Sequence, residues 1–262
     1  MALMGVDGQE LFYQARGRRE DGPAVLFVHG AGGTWRHWGL QMRDLEPAYR
    51  VGLDLPGHGR SGGPGRRTID EYAAVVLGFM DALELGSATV VGHSMGGAIA
   101  LTMALQAPDV VEGLGLVGTG GRLPVNPAIL DGLLQPDPRP TIRLISEWSY
   151  RRQAPEAQVA QGARELSATD PVVYHGDYSA CNAFDLSGSL DAIHQLALVL
   201  TAMEDRMTPP EWARTLAEGL PNASLRLVEN AGHMVMLEQS GAVTVALRQF
   251  LGLEGAEGRE TR

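Results

Sequence analysis

The sequence predicts an α/β fold: a mostly parallel central sheet flanked by helices, with a helical segment inserted between two of its strands. Three observations point to it. Apolar runs of strand length recur and are closed by glycine or proline turns. Stretches with helical spacing separate them. The alternation breaks once, over 122–185, and then resumes.

Taken in order, Leu11 to Ala15 reads as an early strand, and Ala24 to His29 (AVLFVH) as a strand buried on both faces. Trp35 to Leu45 follows a glycine turn and reads as a helix. Tyr49 to Leu53 is a further strand, ended by Pro56-Gly57. Thr68 to Leu85 places Ile69, Tyr72, Val75, Val76, Phe79, Met80 and Leu83 on one helical face. Ala88 to Val91 is a buried strand, Ser94 to Gln106 a helix rich in Ala, Leu and Met, and Leu114 to Val117 the next strand. Prolines 124, 127, 136, 138, 140, 155 and 171 then scatter through helices and loops. Strand Leu196 to Thr201, helix Pro210 to Leu220, strand Ser224 to Val228 and helix Gly241 to Leu251 complete the sheet. The polar tail Glu254 to Arg262 is expected to fray. The core therefore comprises 1–121 and 186–262, with 122–185 as the insertion.

Composition excludes several chemistries. The net charge of -10, without a basic stripe, argues against nucleic acid as a partner. All 21 basic residues are arginine, which removes Schiff-base chemistry and the phosphate-loop lysine. The single cysteine, Cys181, permits neither an internal disulfide nor a cysteine zinc site, and is expected to be a small, partly buried thiol. No apolar run reaches membrane-spanning length, and Met1 to Glu10 lacks a secretory signal pattern. A cytoplasmic protein is expected, monomeric or homodimeric, with no membrane partner.

Five segments carry the chemistry. Gly92-His93-Ser94-Met95-Gly96 follows a strand and opens a helix, as a G-x-S-x-G nucleophile elbow requires. A sharp turn exposes the Ser94 hydroxyl, and the helix N-terminus directs amides toward a developing oxyanion. His29-Gly30-Ala31-Gly32-Gly33 offers a second set of amides; those of Ala31 and Met95 are expected to form the oxyanion hole. Asp54 to Ser61 (DLPGHGRS) reads as a tight structural turn in which Asp54 accepts backbone hydrogen bonds, with His58 a lesser catalytic candidate. Glu204-Asp205 follows a strand and supplies a carboxylate at the sheet edge. His233, in a glycine turn after the last strand, is the candidate base, giving the chain order Ser, acid, His.

Together HGAGG at 29–33, DLPGHGRS at 54–61, GHSMGG at 92–97, EDRMTPP at 204–210 and GHMVMLEQ at 232–239 resemble the α/β-hydrolase superfamily, in its serine-nucleophile, carboxylesterase- and lipase-like branch, over nearly the whole chain. The resemblance implies the α/β-hydrolase fold, Asp205 rather than Glu204 as the triad acid, and a helical cap over 122–185. Relatives with an acid at the elbow are dehalogenases and epoxide hydrolases; Ser94 argues against both. Ala202 and Ser240 stand where relatives often carry glycine and proline.

The expected reaction is hydrolysis of a carboxylic ester through an acyl-enzyme, with Ser94 as nucleophile, His233 as base and Asp205 orienting it. It needs no metal or organic cofactor. The substrate is expected to be a small molecule in an apolar pocket built from Gly30, Trp35, His93, Trp148, Met207 and Met234, with Tyr150 nearby and Trp38 in the core. A lactone, or a carbon–carbon bond in a vinylogous diketone, suits the same triad, and perhydrolysis is a conceivable side activity. A different class, a non-catalytic small-ligand receptor on this fold, would differ in failing to react with a fluorophosphonate.

Overall fold

The computed structural model describes residues 2–254, so the tail beyond Glu254 lies outside the described residues. Among the described residues eight strands form one sheet: β1 (Ala2–Val6), β2 (Gln9–Arg16), β3 (Ala24–Val28), β4 (Tyr49–Leu53), β5 (Ala88–His93), β6 (Val111–Val117), β7 (Leu196–Ala202) and β8 (Ala223–Val228). Their spatial order is β1-β2-β4-β3-β5-β6-β7-β8. β1 pairs antiparallel with β2, and β2 antiparallel with β4. From β4 onward every pairing is parallel.

The helices are α1 (Gly39–Asp44), α2 (Ile69–Ala82), α3 (Met95–Gln106), α4 (Pro127–Leu133), α5 (Arg139–Ser149), α6 (Glu156–Leu166), α7 (Pro171–Ala183), α8 (Pro210–Gly219), α9 (Val235–Glu238) and α10 (Ser240–Phe250). The single helix expected over Trp35 to Leu45 is two pieces, a 3-10 turn at Trp35–Trp38 and then α1. β1 was not foreseen: three of its five residues are exposed, so it shows no apolar run.

Alternating side chains of each central strand feed two cores. Leu26 and Val28 of β3 join the cluster that holds Tyr72, Val76 and Phe79 of α2 and Ile99 and Leu101 of α3. Val25 and Phe27 join the other, with Trp38, Met42 of α1 and Val243 and Leu247 of α10. The period of two along a strand makes that division. α2 begins with a capping box: Thr68 accepts from the Glu71 amide while the Glu71 carboxylate accepts from the Thr68 amide.

Four helices, α4 to α7, lie between β6 and β7. α7 starts at Asp170-Pro171, where the Asp170 carboxylate accepts from the Val172 amide at 2.8 Å and proline occupies a position that needs no donor. Among the described residues no helix is long and apolar enough to cross a membrane.

Candidate active site

The loops that follow β3, β5, β6, β7 and β8 lie at the carboxyl edge of the parallel sheet, where open α/β sheets present their ligand sites. Ser94 joins β5 to α3 with φ +53° and ψ -117°, a left-handed conformation that a side-chain-bearing residue holds only when its surroundings enforce it. The enforcement is visible. The Ser94 amide donates to the Val117 carbonyl at 2.9 Å, and Thr119 Oγ1 donates to the Ser94 carbonyl at 2.9 Å. A Cβ on Gly92 would meet the Gly96 carbonyl oxygen at 2.1 Å, and one on Gly96 would meet the Val28 carbonyl oxygen at 2.4 Å. Only glycine at these positions lets strand and helix close on the turn. Met95 opens α3, where the first amides of a helix have no intrahelical acceptor.

After β8, the His233 Nδ1–H donates to Asp205 Oδ2 at 2.9 Å, and both side chains are buried. Asp205 Oδ1 accepts from the amides of Met207 and Thr208 at 2.9 and 2.8 Å. Thr208 Oγ1 donates to Asp205 Oδ2 at 2.8 Å and lies 3.1 Å from His233 Nδ1. An acceptor on the Nδ1 side assigns the proton there and leaves Nε2 as the basic nitrogen. Gly118, with φ +56°, packs against the pair; a Cβ there would stand 3.3 Å from His233 Nδ1 and 3.4 Å from Asp205 Oδ2. Sequence reading overlooked Thr208, Thr119 and Gly118. Thr208 carried a usable signal, a hydroxyl three residues after an acid before Pro209 and Pro210.

The competing acid, Glu204, turns elsewhere: its Oε2 accepts from the Arg152 amide at 3.1 Å. Glu238 accepts from the amides of Gly232 at 2.7 Å and Arg151 at 3.2 Å, fixing the turn that precedes His233. His58 is buried against Asp177, with Nε2 2.8 Å from Asp177 Oδ2, and lines neither cavity beside Ser94. Asp54 accepts from the amides of Trp35 at 2.8 Å and Arg60 at 3.0 Å.

Two cavities meet at Ser94. The smaller, about 40 Å³, is lined by Gly30, Ala31, His93, Ser94, His233 and Met234, and by Tyr150 and Tyr174 of the inserted segment. The larger, about 210 Å³, is mostly apolar, with Leu123, Ile129, Trp148, Cys181, Met207 and Trp212 on its walls. Of the expected substrate-binding residues, Gly30, His93 and Met234 thus border the first cavity and Trp148 and Met207 the second. Trp35 borders neither. Its amide donates to Asp54 Oδ1, and its partly buried ring packs against the core cluster that holds Trp38. Among the described residues, no group of three or more His, Cys, Asp or Glu is placed to hold a metal ion.

Burial sets the protonation of the surrounding histidines. Burial first, then the charge of His58, holds His29 well below its usual range. Burial, with His233 beside it, does the same for His93, whose Nε2–H donates to the His233 carbonyl at 3.0 Å and whose ring lies 4.4 Å from the His233 ring. Burial lowers His37 to about 4. These three rings are neutral in the folded state and protonate when the chain unfolds below about pH 6.5. In that window the unfolded chain binds more protons, so stability falls as pH falls. For His37 alone the loss is about 3 kcal/mol between about pH 6.5 and 4. Asp54 and Glu238, both raised by burial, act in the opposite sense near the carboxylate range. His58 is raised, its burial outweighed by Asp177, and its contribution is lost as pH rises through its folded value. Thermal denaturation followed by circular dichroism should therefore show a melting temperature that peaks near neutrality and drops steeply toward pH 4.5. A constant value from pH 7 to 4.5 would contradict the neutral-histidine assignment.

Residues 25–247 match the model of the Alpha/beta hydrolase family. The dihydrolipoyllysine-residue acetyltransferase component of the acetoin cleaving system of Cupriavidus necator is 29% identical over 258 residues, covering 94% of this chain and 68% of that protein. The chain spans about two thirds of the length of this relative and of its Pseudomonas putida counterpart. Among solved structures, the enol-lactonase from Burkholderia xenovorans LB400 superposes with a TM-score of 0.88 at 26% identity, covering 96% of this chain and 100% of the other. A thermophilic esterase superposes with a TM-score of 0.84 at 32% identity, covering 97% and 98%.

Proposed function

The chain belongs to the alpha/beta hydrolase family, and from that premise we propose that it is a serine hydrolase that cleaves carboxylic esters of small molecules through Ser94, His233 and Asp205. The observation that carries the reading is the buried 2.9 Å contact of His233 Nδ1 with Asp205 Oδ2, beside a cavity that the imidazole shares with Ser94. His233 Nε2 takes the Ser94 proton as Oγ attacks the ester carbonyl. Asp205 stabilises the resulting imidazolium and fixes its orientation. The amides of Ala31 and Met95 receive the oxyanion, each such donor contributing about 3 kcal/mol in the transition state. His233 then protonates the departing alkoxide, and a water activated by the same imidazole releases the acid.

The departing oxygen must lie within reach of the imidazole, so the alcohol part occupies the cavity that His233 borders. The acyl chain fills the larger apolar cavity between Trp148, Met207 and Ile129. Helices α4 to α7 act as a cap over both. A lactone is the second reading, supported by the likeness to the enol-lactonase; its acyl and alkoxy ends would bridge the two cavities.

Reaction with a fluorophosphonate probe, followed by peptide mapping, tests the reading. Wild type should be labelled on Ser94, and a panel of ethyl and p-nitrophenyl esters of increasing acyl length should outpace lactones and vinylogous diketones. A protein that binds such ligands but takes no label is a receptor. Label on another serine, or unchanged labelling of Ser94→Ala, sinks the assignment.

A further inference from the structure

We infer that Asp177 and Thr169, two residues of the segment between β6 and β7, are positioning residues for the Ala31 amide; this rests on the reading of that amide as an oxyanion donor. Three consecutive peptide groups, 30–31, 31–32 and 32–33, make up the loop, and each is held by a named partner. The Gly30 carbonyl shares a peptide plane with the Ala31 N–H. It accepts from His29 Nδ1 at 2.8 Å and from the Gly33 amide at 3.0 Å. His29 is locked in that tautomer because its Nε2 accepts from the Leu55 amide at 3.0 Å. The Gly32 N–H donates to Asp177 Oδ2 at 2.9 Å. The Gly32 carbonyl accepts from Thr169 Oγ1 at 3.1 Å.

Two consequences follow. First, Gly32 sits at φ +64°, one of several conformations open to a residue without Cβ, so its hydrogen bonds, two of them to the side chains of Asp177 and Thr169, hold its peptide planes. Second, the bonds run head to tail. Thr169 O–H points to the Gly32 carbonyl, the Gly33 N–H of the same plane points to the Gly30 carbonyl, and that carbonyl shares its plane with the N–H of Ala31, a residue that lines the cavity. Aligned peptide dipoles polarise one another, so this relay strengthens the last donor as well as aiming it.

Asp177 is itself immobilised. It is fully buried, accepts from Tyr72 Oη at 2.6 Å on Oδ1, and pairs with His58 Nε2 at 2.8 Å on Oδ2. His58 Nδ1 lies 3.0 Å from the Pro56 carbonyl, so both ring nitrogens face acceptors, and the ring carries both protons. The ion pair joins α7, the loop after β4, and α2, and the Gly32 amide hangs from it.

The test uses Thr169→Val, which removes one hydroxyl at constant shape, and Asp177→Ala, which removes the acceptor. Steady-state kinetics are measured on an ester and on its thionoester, whose sulfur accepts hydrogen bonds poorly and so reports the oxyanion donors. Thr169→Val should lower kcat on the ester by about 3- to 10-fold, with KM within about twofold and the preference for ester over thionoester reduced in step. Asp177→Ala should lower kcat by about 10- to 100-fold, short of the full loss of a donor. Where Asp177→Ala does not fold, Thr169→Val decides. Wild-type kcat and wild-type ester preference in the folded variants would overturn the inference. Ser94→Ala run alongside separates the two claims: turnover surviving in that variant refutes the site, whereas a dead Ser94→Ala with an unaffected Thr169→Val refutes only the positioning role.

Discussion

Ser94→Ala is expected to lower kcat on the best ester by about 10⁵- to 10⁶-fold, with KM changed no more than a few-fold. In the proposed mechanism the hydroxyl makes the bond that breaks the ester, so its loss acts on the transition state and barely on binding. The turn itself should survive. Its left-handed φ of +53° is imposed by bonds from the Ser94 backbone to Val117 and Thr119, none of which uses the side chain. His233→Ala should cost about as much, and the double variant little more than either single one, because nucleophile and base act as one unit. Stopped assays at high enzyme concentration measure the residue. Turnover above about one per cent of wild type in Ser94→Ala would mean that another group attacks.

Asp205→Asn is the second large effect, a fall of about 10⁴-fold in kcat with the fold retained, as expected when the acid of a Ser-His-Asp triad becomes an amide. The local chemistry favours such a loss here. Asp205 Oδ2 accepts from both Thr208 Oγ1 and His233 Nδ1. The Met207 and Thr208 amides donate to Oδ1, so an asparagine keeps its carbonyl oxygen there and turns its NH₂ into the Oδ2 position, toward Thr208 Oγ1 and the imidazole together. Facing that NH₂, Nδ1 becomes the acceptor and the proton moves to Nε2, the atom that must take a proton from Ser94. Thermal denaturation should show a native-like variant, and kinetics should show the loss in kcat. Activity within tenfold of wild type would argue that Asp205 does not set the tautomer.

The sheet was legible because its central strands are buried on both faces, which writes them as unbroken apolar runs such as AVLFV and ALVLT. The Asp205–His233 pairing was legible because each residue follows such a run and sits in a turn. What escaped was of two kinds. β1 pairs only with β2 and is largely exposed, so its residues ALMGV carry no burial pattern. Trp35 follows HGAGG closely along the chain, yet its half-buried ring packs against the Trp38 cluster and lines neither cavity at Ser94. Asp177 is the instructive case. It stands 145 residues from Gly32, in a segment of scattered prolines, with no motif around it. Its meaning lies in partners brought in by the loops after β3 and β4 and by α2, and no local pattern of charge or spacing announces contacts of that range.

The anchoring of α7 beneath the glycine loop bears on how such enzymes are recombined. A graft that exchanges the stretch between β6 and β7 for that of another hydrolase removes the carboxylate under Gly32 and strands His58 and Tyr72 as buried donors without an acceptor. Chimeras that carry an acid at 177 and a hydroxyl at 169 with the donor segment should inherit new selectivity with their rate intact. Those that do not should trade one for the other.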